Sequence, residues 1–79
     1  MQVLLFGITK EIIGEEVLKI PSDAVIENVS ELKSFLMKKY PALANLSSLA
    51  IAVNSHYAED GALVTIDDEV ALIPPVSGG

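Results

Sequence analysis

The sequence predicts an α+β domain in which one main helix crosses one face of a mixed sheet. Apolar residues stand at consecutive or alternate positions near both ends of the chain, as in strands, and at helical spacing between them. The chain has 79 residues, which is enough for one small domain. With 51% hydrophobic and 20% charged residues, its composition is that of a globular protein. The predicted order is β-β-α-β-(β)-β.

The first two elements are predicted to be a pair of strands. Met1–Ile8 is apolar at almost every position, which is typical of a strand that is buried on both faces. Thr9–Gly14 is predicted to be a connection, with its glycine as the turn signal. Glu16–Ile20, which ends before Pro21, is the second strand. Two strands joined by a short connection favour a hairpin.

The hydrophobic period then changes to that of a helix. Asn28, followed by Glu31 three residues later, is a variant of the capping box, and Pro41 ends the helix. The helix is therefore about eleven or twelve residues long, and Leu43 and Leu46 are expected to pack under its end. Its buried face is predicted to hold apolar residues spaced three and four apart, widened by one aromatic residue: Val29, Leu32, Leu36 and Tyr40, with Phe35.

The C-terminal half is predicted to supply the remaining strands. Leu49–Val53 is the third strand, Glu69–Ile73 the last, and Ala62–Ile66 a short edge segment between them. Asp60-Gly61 marks one turn and Asp67-Asp68 another, in which the second aspartate is expected to take a positive φ, since aspartate tolerates it better than most residues.

Strand parity predicts an apolar surface on the side of the sheet that the helix does not cover, because successive side chains of a strand point to opposite faces. An exposed apolar patch usually marks a partner site, although loops folded over this face would explain the same pattern. The residues predicted to face the helix are Val3, Leu5, Val70 and Leu72. Those predicted to face away are Leu4, Phe6, Ala71 and Ile73, with Tyr57 beside them.

Charge and composition exclude several classes of function. Eleven acidic residues, five lysines and no arginine give a net charge of −6, which argues against nucleic acid as a partner. An acidic surface suits a basic protein groove, and it also aids solubility. There is no cysteine, which is consistent with a reducing compartment. No apolar run approaches the length of a membrane span, and no signal peptide is recognisable, so a cytoplasmic protein without membrane contact is expected.

The last six residues are predicted to lie outside the folded part of the chain. Residues 1–73 form the domain, and residues 74–79 form an extended, flexible tail that reaches about 20 Å at roughly 3.3–3.6 Å per residue. Pro74-Pro75 favours a stiff polyproline II conformation, and Gly78-Gly79 can pass through a channel too narrow for a Cβ atom. The carboxyl carbon of Gly79, once activated as an adenylate, could accept a nucleophile. A frayed terminus would explain the same glycines.

The ending Asp68–Gly79 is similar to that of the small, sulfur-carrying subunits of molybdopterin synthase. The opening Val3–Gly7, the following Lys10-Glu11 and the central Ala52–Asn54 resemble the same family. The resemblance covers essentially the whole chain, and Pro-Pro-Val-Ser-Gly-Gly is its most specific part. The family has a ubiquitin-like β-grasp fold, which agrees with the predicted order of elements.

The resemblance implies a mechanism centred on the C-terminal glycine. An E1-like adenylating enzyme would use ATP to activate Gly79, and a sulfur donor protein would convert the adenylate to a thiocarboxylate. The tail would then enter the large synthase subunit, in a heterotetramer, and give its sulfur to a cyclic pyranopterin precursor of molybdopterin. The tail residues implied to thread the partner's active site are Pro74, Pro75, Val76, Ser77 and Gly78. Those implied to contact the partner are Phe6, Tyr57 and Ile73.

The implied protein binds no cofactor or metal and has no independent active site, since the chemistry is completed in the large subunit. Two alternatives stay open: a related carrier that delivers sulfur for thiazole or tRNA thiolation, and a ubiquitin-like modifier joined to lysines through Gly79. Other candidate sites are set aside. His56 has no cysteine with which to form a zinc site, and the acids at 67–69 lack the spacing of an EF-hand loop.

Overall fold

The computed structural model describes residues 1–21, 23–46 and 48–75. No helix within these ranges is long and apolar enough to cross a lipid bilayer. These ranges contain five strands, two α-helices and one 3₁₀ helix. In chain order they are β1 (Gln2–Leu5), α1 (Gly7–Ile13), β2 (Val17–Lys19), α2 (Val29–Lys39), a 3₁₀ helix (Pro41–Asn45), β3 (Ala50–Val53), β4 (His56–Ala58) and β5 (Val70–Ile73).

The five strands form one mixed sheet in the order β2-β1-β5-β3-β4. The two strands nearest the chain ends, β1 and β5, are neighbours and run parallel, whereas every other pair is antiparallel. The parallel pair places Val3 beside Val70 and Leu5 beside Leu72. This arrangement confirms the α+β, β-grasp architecture that the resemblance implied.

A single hydrophobic core lies between the sheet and α2. The strand residues predicted to face the helix are all buried, and so are two leucines and a valine of α2. The 3₁₀ helix closes the core beyond the end of α2: Leu43 is fully buried and Leu46 is half-buried, as predicted. The core residues are Val3, Leu5, Leu18, Ile20, Val29, Leu32, Leu36, Leu43, Ile51, Val64, Val70 and Leu72.

The prediction for the connection after the first strand was wrong. Residues 7–13 form α1 and not a loop, although β1 and β2 do pair antiparallel as expected. The hydroxyl of Thr9 starts this helix, since it donates to the carbonyl of Phe6 at 2.6 Å and accepts from the Phe6 N–H at 3.1 Å. Gly14 ends it with a φ of 83°. Four β-branched residues in this segment favour strands by propensity, which concealed the helix.

The main helix agrees with its prediction at both ends. The Asn28 side chain accepts a hydrogen bond from the Glu31 N–H at 2.9 Å. The Glu31 carboxylate in turn accepts from the N–H of Glu27 at 2.8 Å, one residue earlier than in the usual capping box. The helix ends at Lys39, two residues before Pro41.

The edge of the sheet differs from the prediction. Residues 62–66 do not form a strand, because the backbone there makes only an isolated bridge between Leu63 and Asn28. The edge is β4 instead, which follows β3 through a tight turn at Asn54 and Ser55, with φ of 51° and 70°. Two consecutive positive φ values are typical of a type I′ hairpin turn, and an Asn-Ser pair is a weaker sequence signal for it than Asn-Gly.

Asp68 has no positive φ, so that expectation was also wrong; among the described residues other than glycine, positive φ values occur at Asn54 and Ser55. Asp68 instead joins two loops through its carboxylate, which accepts from the Thr65 N–H at 2.8 Å and from the Asn54 side chain at 3.0 Å. The Asn54 amide oxygen accepts from the Glu69 N–H at 3.0 Å. These contacts fix the β3–β4 turn against the start of β5.

The hydrogen bonds from Thr65 and Asn54 lower the pKa of Asp68 below its ordinary value. Because the pKa is lower in the folded than in the unfolded state, the stabilisation is present above about pH 4 and is lost as the pH falls through the folded-state pKa. We therefore expect Asp68→Asn to lower the free energy of unfolding at neutral pH. The difference in unfolding free energy between this variant and the wild type should shrink as the pH is lowered. Chemical denaturation at several pH values measures this, with the exposed Asp67→Asn as control. A pH-independent difference between the wild type and Asp68→Asn would contradict it.

Candidate functional site

The sheet surface opposite α2, called here the outward face, is a continuous apolar surface. Strand pairing sets Leu4 beside Ala71, Ala71 beside Ala52, and Ala52 beside Tyr57. Directly opposite residues in a sheet share a face, so these four side chains form one row across the centre of the sheet. Val17 on β2 extends the row, because it pairs with Leu4.

A second row lies nearer to the start of the tail. Ile73 pairs with Ala50 on the outward face. Phe6 follows β1 in extended conformation, with φ −134° and ψ 152°, so strand parity carries its side chain to the same face as Leu4. The two rows together place apolar side chains from all five strands around a centre of three alanines. Small side chains at the centre allow another backbone to approach the sheet closely.

The three residues predicted to contact a partner are accessible to solvent. Phe6 is 48% exposed and Tyr57 is 77% exposed, and Ile73 is half-buried. Phe6 and Tyr57 stand at opposite margins of the outward face, with Ile73 between them. The alternative explanation was that loops fold over this face. The loops among the described residues do not do so, since the rings of Phe6 and Tyr57 would then be shielded from solvent.

Sequence reasoning missed Val17, Ala50 and Ala52 as members of this surface. Alanine is too small to be conspicuous in a hydrophobic pattern, and a three-residue strand such as β2 shows little alternation. The signal that could have found them is register, because Ala52 lies opposite both Ala71 and Tyr57. The unpredicted strand β4 carries Tyr57, so the row could not be completed from the sequence.

The tail begins at the margin of the outward face. Pro74 and Pro75 follow Ile73 directly, belong to no strand and are half-buried. The other tail residues named from the sequence lie outside the described residues: Val76, Ser77, Gly78 and Gly79. The last strand, β5, ends at Ile73, and the division into a domain and a flexible tail stays a prediction.

One exposed ion pair borders the outward face near Phe6 and Val17. Lys10 on α1 and Glu16 before β2 form an exposed ion pair at 3.2 Å, which contributes little stability because water screens it. His56 is exposed on β4, and its pairing with Val53 puts it on the other side of the sheet. Within the described ranges, no group of three or more histidine, aspartate or glutamate side chains is placed to hold a metal ion. The outward face is therefore an exposed apolar surface of the kind that usually marks a partner site.

Comparison with known proteins identifies relatives along the whole chain. The model of the ThiS family matches residues 3–79. The molybdopterin synthase sulfur carrier subunit of Arabidopsis thaliana is 37% identical over 82 residues, which cover 100% of this chain and 82% of that protein.

Solved structures share the fold. The small archaeal modifier protein 1 of Methanosarcina acetivorans has a TM-score of 0.78 and 27% identity, over 99% of this chain and 94% of that chain. A chain in the complex of subunits 1 and 2 of the molybdopterin-converting factor from Helicobacter pylori has a TM-score of 0.64 and 30% identity, over 99% of this chain and 96% of that chain. The resemblance noted in the sequence is therefore confirmed, and the chain belongs to the ThiS family, among relatives that are sulfur carrier subunits of molybdopterin synthase.

Proposed function

We propose that this protein carries sulfur to the large subunit of molybdopterin synthase as a thiocarboxylate on Gly79. One observation carries the proposal: the family match extends to residue 79, so the likeness to sulfur carriers includes the terminal glycines. The composition agrees with it, since a chain without cysteine has no thiol side chain to carry sulfur.

The chemistry proceeds at the carboxyl carbon of Gly79. The carboxylate attacks the α-phosphorus of ATP on an adenylating enzyme, which releases pyrophosphate and leaves an acyl adenylate. A persulfide on a donor protein then attacks the carbonyl carbon and displaces AMP, and a second thiol of the donor cleaves the resulting acyl disulfide, which frees the thiocarboxylate and leaves a disulfide on the donor. The sulfur of the thiocarboxylate then attacks the pterin precursor in the large subunit, and water hydrolyses the thioester so formed, which leaves the sulfur on the pterin and restores the carboxylate of Gly79. ATP is thus a substrate of the activating enzyme, and its supply fits a cytoplasmic location.

The outward face is the surface we propose for docking on the large subunit. Its apolar centre removes area from water on association, while its aromatic margins supply the type of side chain that dominates binding energy. Ile73 connects this face to the tail, so docking brings the tail to a fixed entry point. The net charge of −6 favours a basic surface on the partner.

Mass spectrometry tests the proposal directly. The purified protein is incubated with ATP, the adenylating enzyme and a sulfur source, and its intact mass is measured. We expect an increase equal to the exchange of one oxygen for one sulfur, located at Gly79 by peptide analysis. Omission of ATP is the control and should leave the mass unchanged.

The same reaction tests the modifier alternative, which the likeness to small archaeal modifier proteins keeps in view. A modifier would form isopeptide bonds between Gly79 and lysines of other proteins. A dominant isopeptide product without thiocarboxylate would overturn the sulfur-carrier proposal.

A charge on the outward face is expected to weaken docking without unfolding the domain. Tyr57→Glu or Phe6→Glu would bury an unpaired carboxylate against an apolar partner. Truncation of such anchors commonly costs about 2 kcal/mol or more, which is about 30-fold or more in affinity. Calorimetry with the large subunit measures this. Leu63→Glu is the matched control, because Leu63 is 76% exposed but lies beside the start of α2. Equal affinities for the Tyr57 and Leu63 variants would contradict the assignment of this face.

A further inference from the structure

Gly7 and Pro74 lie side by side where α1 begins and the tail leaves the sheet. The parallel register of β1 and β5 pairs Leu5 with Leu72. Two residues beyond this pair, position 7 lies beside position 74. An ideal Cβ built on Gly7 would lie 3.2 Å from Cγ of Pro74, which is closer than an ordinary van der Waals contact. A side chain at position 7 would therefore press on the first residue of the tail.

The backbone of Gly7 is held in place from both sides. Its φ of +54° is in the left-handed region, which glycine adopts at no steric cost. The Thr9 hydroxyl ties the start of α1 to Phe6 through bonds of 2.6 and 3.1 Å, and Thr9 itself is fully buried. Pro74 follows the last strand and is only half-buried, so Pro74 is the partner that would move.

We propose that Gly7 is a positioning residue for sulfur transfer. Because it has no side chain, Pro74 can rest against the start of α1, and this contact sets the direction in which the tail leaves the domain. The inference rests on the proposed function, since the direction matters only when the tail must enter a partner that is docked on the outward face.

The effect of a small displacement grows along the tail. Pro74-Pro75 favours stiff polyproline II backbone, so a tilt at Pro74 is passed on. A shift of about 0.3 Å over the first residue, roughly 3.5 Å long, becomes about 0.6 Å at the end of Pro75 and changes the direction in which the rest of the tail starts. Misplacement of a reacting group by about 1 Å can cost about 100-fold in rate.

The test compares Gly7→Ala with Gly14→Ala. Gly14 also has a positive φ, of +83°, but no atom lies within 4 Å of its ideal Cβ, so it reports backbone strain without a clash. Both proteins are loaded as thiocarboxylates, and the maximal rate and half-saturating concentration of transfer by the large subunit are measured beside thermal melts. We expect transfer by Gly7→Ala to be at least about tenfold less efficient than by Gly14→Ala, at similar losses of melting temperature. Equal transfer by the two variants would overturn the proposal.

A double-mutant cycle isolates the contact itself. Pro74→Ala removes the Cγ atom that position 7 would meet. In a protein that already carries Pro74→Ala, the further change Gly7→Ala should then reduce the transfer rate no more than Gly14→Ala does. This is expected because the effects of interacting positions are non-additive. Fully multiplicative losses would show that the two residues act independently and would overturn the proposal.

If Gly7→Ala does not fold, Pro74→Ala and Pro75→Ala carry the test. Both lose one proline, but Pro74 is the proline found against position 7, so the Pro74 variant should transfer sulfur more slowly at an unchanged melting temperature. Equal rates would overturn the proposal.

The chain without Gly79, in the same assay, distinguishes failure of the proposed function from failure of the positioning role. If that chain transfers sulfur, the proposed function is refuted. If it is inactive but Gly7→Ala and Gly14→Ala transfer sulfur at equal rates, only the positioning role of Gly7 is refuted.

Discussion

Removal of Gly79 is expected to abolish sulfur transfer and leave the stability of the domain unchanged. The shortened chain still ends in a carboxylate on Gly78, but that carboxylate stops about 3.3–3.6 Å short of the position the full tail reaches. A reacting group displaced by even about 1 Å can lose about 100-fold in rate. The buried core runs from Val3 to Leu72, so melting of the shortened chain should match that of the full chain.

Two controls sharpen this prediction. Gly79→Ala keeps the length and the terminal carboxylate and adds only a methyl group, so any loss it causes reports the width of the channel. A single residue added after Gly79 displaces the reacting carbon in the opposite direction and should also abolish transfer. Each variant is assayed separately for thiocarboxylate formation and for transfer to the precursor. Activity that survives deletion of both Gly78 and Gly79 would overturn the carrier and the modifier hypotheses together.

Leu32→Ala or Leu36→Ala is expected to destabilise the domain by about 2–5 kcal/mol each. Both side chains are 0% exposed at the centre of the core, where truncation leaves a cavity. The whole free energy of unfolding of a domain is only about 5–15 kcal/mol, so either variant should lower the melting temperature by roughly 10 °C or more.

The control for these variants is Ser34→Ala, which changes an exposed position on the same helix and should alter stability by less than about 0.5 kcal/mol. Thermal and urea denaturation followed by circular dichroism measure all three. Unchanged midpoints in both leucine variants would mean that the apolar stripe of α2 does not pack on the sheet.

The elements that could be predicted are those whose sequence signals agree with one another. For α2, the Asn28 cap, the apolar spacing and Pro41 all indicate one helix, and the structure has it at those bounds. For β1 and β5, unbroken apolar runs predicted strands with apolar side chains on both faces. The alternation of side chains along each strand correctly predicted which of these residues face the core and which lie on the outward face. The exposed aromatic at position 6 follows from the same parity.

The elements that could not be predicted are short and depend on packing or pairing with the rest of the fold. The helix α1 is only seven residues long, too short to be stable alone; it exists because Thr9 caps it and because Ile12 and Ile13 pack against the core. The strand β4 is recognisable only once β3 is in place to pair with it. For the candidate site, the tail and the aromatic margins were evident from the sequence, whereas the alanine centre and the Gly7–Pro74 contact required the register of β1, β5 and β3.

The central position of β5 determines how the domain responds to a pull on its tail. A tail attached to an edge strand could peel that strand away one hydrogen bond at a time. Here the strand is bonded on both sides, to β1 and to β3, and its inward residues Val70 and Leu72 are fully buried. Local opening at the base of the tail would therefore break the hydrogen bonds of β5 to both β1 and β3 and would expose the core residues beneath them. Tension applied to the tail is therefore resisted by the domain as one cooperative unit.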